Sequence, residues 1–178
     1  MSLSVLGHRR LASGVFLSYD RRYLIDGDRS VARDVVRHPG GIAILPVEGE
    51  TVWLVSQYRT AAGRRLLEVP AGKLDPAEKD LEAAAQRELA EEIGASAAAW
   101  HHLTQMLPSP GYTDETIDIY AATGLTFGKR KPDGAEERGM EVITLALEDA
   151  LDSIERGDIA DAKTQIAILL WARQRSHE

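Results

Sequence analysis

The segment from Gly72 to Gly94 constrains this chain more than any other. It reads Gly72-Lys-Leu-Asp-Pro-Ala-Glu78, then Lys79 to Gln86, then Arg87-Glu-Leu-Ala-Glu-Glu-Ile-Gly94. Gly72, Asp75 and Pro76 are turn formers and start it as a loop. After them Leu81, Ala85, Leu89 and Ile93 recur every four residues, the single apolar stripe of an amphipathic helix. Gly94 supplies the left-handed stop. Glu88 and Glu92 stand one turn apart, with roughly 5–6 Å between their Cβ atoms, so their carboxylates repel each other. Arg87 reaches Glu91 at i+4, which leaves Glu88 and Glu92 without an expected partner on their own helix. The spacing is open to two readings: a solvated charged face, or carboxylates held together by a hard divalent cation.

The segment resembles the Nudix box: Gly, five residues, Glu, seven residues, Arg-Glu, an aliphatic, any residue, Glu-Glu, any residue, Gly, an aliphatic. Gly72, Glu78, Arg87, Glu88, Leu89, Glu91, Glu92 and Gly94 match it. Eight residues rather than seven separate Glu78 from Arg87, and Ala95 stands where a bulkier aliphatic is usual. The insertion leaves Glu78, Asp80 and Glu82 as alternative upstream acids. Two further stretches, Leu67-Glu68-Val69-Pro70-Ala71-Gly72 and Pro108-Ser109-Pro110-Gly111-Tyr112-Thr113-Asp114-Glu115, resemble the ADP-ribose pyrophosphatase branch. Taken alone, the second is also a plain Pro-Gly turn.

The resemblance implies an α/β (α+β) fold, a Nudix-like α/β/α sandwich with a mixed sheet and a small N-terminal β extension. It implies a homodimeric enzyme. Residues 1–38 form the extension, a dimerisation element, and residues 39–178 the hydrolase domain. The implied reaction is Mg²⁺-dependent hydrolysis of the pyrophosphate bond of ADP-ribose or a related nucleoside diphosphate sugar, giving AMP and ribose 5-phosphate, with Mn²⁺ as a substitute ion. The implied metal ligands are Glu88, Glu91, Glu92 and the backbone carbonyl of Ala71. Arg87 has a structural role, tying the helix to the preceding loop through Glu78, with Glu68 as a neighbouring candidate. The catalytic base is a glutamate on a loop well past the box: Glu137 or Glu136, with Glu141 better fixed at the start of the next strand. Arg59, Glu115, Pro110 and Gly111 are the substrate contacts, Arg59 being equally readable as a salt-bridge residue. Phe16, Tyr19 and Tyr23 are candidates to stack on adenine. The alternatives are a GDP-mannose-type hydrolase and a Nudix-fold sensor that binds a nucleotide without cleaving it.

Composition narrows the classes. At 178 residues the chain suits one domain with its own core. A net charge of −7 argues against nucleic-acid and acidic-membrane partners, which need a basic surface. It leaves nucleotides open, because a cation bridges carboxylates to phosphates. The absence of cysteine removes disulfides, thiolate metal sites and thiol nucleophiles, and fits the cytoplasm. No stretch has the length and apolarity of a membrane span.

The remaining elements follow from periodicity and turn residues. Val15–Tyr19 and Tyr23–Ile25 read as a hairpin turning at Asp20-Arg21-Arg22, with a third strand over Val31–Val36. Strands are expected over 41–47 and 51–58 around a turn at Gly49, and over 66–69, 100–106, 115–122 and 141–147. The polar run 129–139 reads as a mobile loop. Helices are expected over 148–156 and 162–173, the second packing inward through Ile166, Leu169 and Leu170.

Overall fold

The structure is a computed structural model that describes residues 3–75, 80–132 and 138–176. The chain forms two compact units: Met1–Gly40 with Leu107–Thr116, and Gly41–Met106 with Ile117–Glu178.

The first unit holds a three-stranded antiparallel sheet, β1 (Ser4–Ser13), β2 (Ser18–Asp26) and β3 (Arg29–Arg37), in that order. The expected turn at Asp20-Arg21-Arg22 is instead the middle of β2, and β1 lies in a stretch with no strand expectation. Both differences have one cause. β2 is paired on both sides, with Asp20 opposite Arg10 and Val35, and Arg21 opposite Arg9 and Asp34. Side-chain pairs reinforce the ladder: Arg10 holds Asp20, and Arg21 grips Asp34 at 2.7 and 2.9 Å. The turns lie instead at Gly14–Leu17, closed by Gly14 N–H to Leu17 O at 2.8 Å where Val15–Leu17 was expected to be strand, and at Gly27, whose φ of 60° suits glycine. Leu107–Thr116 is pinned to β3, Val36 N–H donating to Tyr112 O at 2.8 Å and Asp114 N–H to Val36 O at 3.3 Å.

The second unit is built on a seven-stranded mixed sheet. Its strands are β4 (Gly41–Glu48), β5 (Thr51–Arg59), β6 (Arg64–Glu68), β7 (Ala71–Lys73), β8 (Ala95–Met106), β9 (Ile117–Phe127) and β10 (Glu141–Ala146). The main order is β10-β5-β4-β9-β8, with β6 beside β5 and β7 beside β4. β4 runs antiparallel to β5 and parallel to β9. It is buried on both faces, as a strand between two helical layers must be. Its side chains alternate: Ala43 and Leu45 pack with Ile119, Ile159, Ala167 and Ile168, whereas Ile42 and Ile44 pack with Ala84, Ala85, Leu89 and Ile93. One face therefore carries helix α1 (Leu81–Glu92), and the other carries α2 (Leu147–Glu155) and α3 (Ala162–Arg175).

Two expectations shift here. β8 starts at Ala95, because its alanine run gains a full antiparallel partner in β9; pairing overrides weak intrinsic strand preference. In α3 Ile166 packs against the core as expected, but the deepest face is a different one. Lys163, Thr164, Ala167 and Ile168 are buried, and Leu169 is exposed. Leu45 is fully buried in the centre of the core. Leu45→Ala is expected to cost about 2–5 kcal/mol through the cavity it leaves, read as a loss in urea-unfolding free energy.

Candidate active site

Helix α1 is set by local chemistry. Asp80 Oδ1 accepts the N–H groups of Glu82 and Ala83, each at 3.1 Å, and caps the first turn. The helix ends at Gly94, whose φ of 72° and tight surroundings both demand glycine. A Cβ there would lie 2.8 Å from Arg130 N and 3.0 Å from Gly128 O. Of the expected stripe, Ala85, Leu89 and Ile93 are buried and Leu81 half-buried.

Glu88 and Glu92 lie on this inward side, 5% and 3% exposed, which sets aside the solvated-face reading for both. Glu88 does have a partner on its own helix, contrary to expectation. Arg87 Nη1 lies 2.7 Å from Glu88 Oε1 and 3.1 Å from Glu91 Oε2, because its side chain folds between the two acids. Glu92 Oε2 accepts the N–H of Ala71 at 3.1 Å. β7 and α1 are also in close contact at Gly72. A Cβ on Gly72 would fall 1.8–2.4 Å from the Glu88 carboxyl atoms. The structure thus gathers Ala71, Gly72, Arg87, Glu88, Glu91 and Glu92 around one meeting of strand and helix. Gly72→Ala forces the Glu88 carboxylate aside, the cheapest relief open to the collision. It is expected to leave the protein folded while lowering turnover at least about tenfold, since a 1 Å misplacement is enough for such a loss; steady-state kinetics and a thermal melt separate the two effects.

The end of β6 and the link from it into β7 are held residue by residue. Glu68 is 1% exposed. Its carboxylate meets Arg59 Nε and Nη2, both at 2.7 Å, and Lys163 Nζ, which also meets Asp161 Oδ1 at 2.9 Å. Burial pushes the Glu68 carboxyl up, but the Arg59 hydrogen bond and the Lys163 charge outweigh it and hold the group below the usual carboxylate range. The same carboxylate raises the Arg59 guanidinium, and the Glu92 charge adds to that field. Arg59 is therefore engaged in a bidentate ion pair, with its side chain still 37% exposed. Glu68 pairs with Arg59 and Lys163, while the described partners of Arg87 are Glu88 and Glu91. Beyond Glu68, Val69 N–H donates to Thr164 Oγ1 at 2.8 Å, and Ile44 N–H to Pro70 O at 2.9 Å. Sequence reasoning missed Lys163 and Thr164. Their only signal was Asp161, which caps α3 by accepting Thr164 N–H at 3.0 Å.

The other expected site residues fall in different places. Pro110 and Gly111 form an exposed turn in the first unit, and Glu115 is half-buried there, its Oε1 3.7 Å from His38 Nδ1. Asp114 accepts the N–H of His38 at 3.0 Å and pairs with Arg37 at 2.5 Å. Phe16 packs edge-on to His38 with centroids 5.6 Å apart. Tyr19 donates its hydroxyl to Asp34 at 2.8 Å, and Arg21 together with that hydroxyl pulls the Asp34 carboxyl down to about 2. Phe16, Tyr19 and Tyr23 are all exposed. Glu141 is exposed and pairs with Arg65 at 3.2 Å. Glu78, Glu136 and Glu137 lie outside the described residues.

The donor set suits a hard divalent cation: carboxylates of Glu88, Glu91 and Glu92 beside the backbone of Ala71 and Gly72, oxygen throughout, without sulfur or imidazole. Among the described residues no three acidic or imidazole side chains already converge on a single point, and Arg87 lies between two of the carboxylates.

The family model for the NUDIX domain matches residues 37–165. An ADP-ribose pyrophosphatase of Bacillus subtilis (strain 168) is 39% identical over 137 residues, 76% of this chain and 74% of that one. A methanol dehydrogenase activator of Bacillus methanolicus is 37% identical over 155 residues, 86% and 83% of the two chains. A GDP-mannose pyrophosphatase of Citrobacter koseri is 32% identical over 151 residues, 76% and 78%. A crystal structure of an ADP compounds hydrolase superposes with a TM-score of 0.83 at 22% identity, over 99% of this chain and 96% of that one, and shares the fold.

Proposed function

Because the chain belongs to the Nudix family and is a Nudix hydrolase, we propose that it cleaves the pyrophosphate bond of ADP-ribose, giving AMP and ribose 5-phosphate. The observation that carries this reading is the burial of Glu88 and Glu92 on one helix face, against the backbone of Ala71 and Gly72. Buried carboxylates one turn apart are expensive unless cations are close. Glu88, Glu91, Glu92 and the Ala71 carbonyl would hold Mg²⁺ or Mn²⁺, which when bound supplies Lewis-acid neutralisation of the diphosphate charge. A rigid helix presets the spacing of the carboxylates before substrate arrives. Arg87 shields Glu88 and Glu91 from each other. Arg59, steadied by Glu68, carries positive charge toward the side of Glu92 and is assigned to a substrate phosphate. Glu115, Pro110 and Gly111 are assigned to substrate, and Glu137 or Glu136 to taking the proton from the attacking water, all on the resemblance.

The homodimer is part of the same proposal. Tyr19, Tyr23 and Ile25 are exposed on one face of β2, with the Arg21–Asp34 ion pair among them, a surface that a second copy would cover. The reading also assigns the enzyme to the cytoplasm.

The test is incubation with Mg²⁺ and a panel of ADP-ribose, GDP-mannose, diadenosine polyphosphates, NADH, coenzyme A and deoxynucleoside triphosphates, with products identified by chromatography. AMP and ribose 5-phosphate from ADP-ribose are expected. The relation to a GDP-mannose pyrophosphatase favours a second reading, in which GDP-mannose is the one turned over. Turnover of no compound would point instead to a nucleotide sensor.

A further inference from the structure

The geometry points to Lys163 and Thr164, on the first turn of α3, as positioning residues for hydrolysis, acting on Glu92 through the link from Glu68, the end of β6, to Ala71, the start of β7; the inference rests on the assignment of Glu92 to the cation site. Both side chains brace the α3 cap, Asp161 accepting Thr164 Oγ1–H at 2.6 Å and Lys163 Nζ–H at 2.9 Å, and both also reach past the helix. Both point inward, Lys163 9% and Thr164 0% exposed, where a lysine is costly unless its charge is met. Both engage adjacent residues where β6 ends. Lys163 Nζ meets the Glu68 carboxylate, and Thr164 Oγ1 accepts Val69 N–H at 2.8 Å. The hold continues through Pro70, whose carbonyl is taken by Ile44 N–H, to Ala71, whose N–H reaches Glu92 Oε2 at 3.1 Å.

The segment so held ends where tolerance is smallest. At Gly72 the space beside the Glu88 carboxylate is too small for a methyl group. A slide of β7 along α1 therefore changes where the Glu88 and Glu92 carboxylates can sit. α3 lies on the opposite face of the sheet from α1, so its grip on Glu68 and Val69 sets the height of β7 from behind. Buried Val69 N–H has to find an acceptor, and without the threonine hydroxyl the backbone must shift to reach one.

The test uses Thr164→Val, which keeps shape and removes the hydroxyl that accepts Val69 N–H and donates to Asp161; Thr164→Ser, which restores it; Lys163→Met; and Ile168→Val, a core change on the same helix outside the chain of contacts. Mn²⁺ binding to the whole protein without substrate is measured by the electron paramagnetic resonance signal of free Mn²⁺. Thr164→Val and Lys163→Met are expected to weaken Mn²⁺ binding about 10-fold, the low end for losing a group that orients a ligand. Thr164→Ser and Ile168→Val are expected to stay within about 2-fold of wild type, well short of that loss. Wild-type binding in all four variants overturns the inference. If the wild-type protein binds no Mn²⁺, the cation assignment falls, and the Ala71 amide resonance in a ¹⁵N–¹H spectrum decides separately. Thr164→Val is expected to move that resonance, and Thr164→Ser to leave it in place. An Ala71 resonance unmoved by Thr164→Val overturns the inference whatever the metal result.

Discussion

Glu92→Gln is expected to lower turnover of the proposed substrate, ADP-ribose, at least about 10²-fold, the scale of losing a charge preset for the transition state. The reasoning separates charge from shape. Glutamine keeps an oxygen where Glu92 Oε2 accepts the N–H of Ala71, so β7 and α1 stay together. It removes one of the negative charges gathered with Glu88 and Glu91 on a single helix. The melting temperature is accordingly expected to match or exceed that of wild type, since like charges one turn apart are destabilising. The measurement is kcat at saturating substrate together with a melt monitored by circular dichroism. Near-normal kcat in a folded variant removes Glu92 from the chemistry.

Glu68→Gln is expected to carry the largest stability loss, about 3–5 kcal/mol, the cost of breaking a buried ion pair and stranding its partners. In a chain of this size that is a fall of roughly 6–20 °C in melting temperature. Two cations, Arg59 and Lys163, converge on this carboxylate at 1% exposure, and the neutral amide offers neither a countercharge. The pH dependence has a definite sign. The folded-state pKa of Glu68 lies below the ordinary value of 4.5. The unfolded chain therefore binds this proton more readily, and the carboxylate contributes its full stability only above about pH 4.5. The contribution disappears as pH falls through the depressed folded-state pKa. Urea-unfolding free energies of wild type and Glu68→Gln are thus expected to differ fully at pH 7 and to converge below pH 4.5. A gap that stays constant into strong acid contradicts the assignment of the effect to charge.

What the sequence made legible was whatever repeats locally. The stripe through Leu81, Ala85, Leu89 and Ile93 located α1 and its buried side, and glycine located its end. The strands around Gly49 were visible because apolar runs flank an obvious turn. What stayed hidden depends on partners far along the chain. Asp20-Arg21-Arg22 has the composition of a turn and becomes strand because β1 and β3 flank it. Glu88 and Glu92 were visible as a repelling pair, but their depth of burial follows from the approach of β7, and the bridge from Arg87 from a side chain folding back. Lys163 was unreadable as a site residue. A lysine near a helix start looks like any surface lysine until a buried glutamate from Arg64–Glu68 is brought beneath it.

β4 and β9 lie side by side and parallel, with Gly41 opposite Ile117, although β5, β6, β7, α1 and β8 all come between them in the chain. The central seam of the sheet therefore cannot zip until nearly three quarters of the polypeptide is present. Closing so large a loop is paid in entropy before any contact repays it. Refolding of this unit is accordingly expected to be slow, with the Glu88 and Glu92 carboxylates in water until the seam closes and β7 docks beside α1.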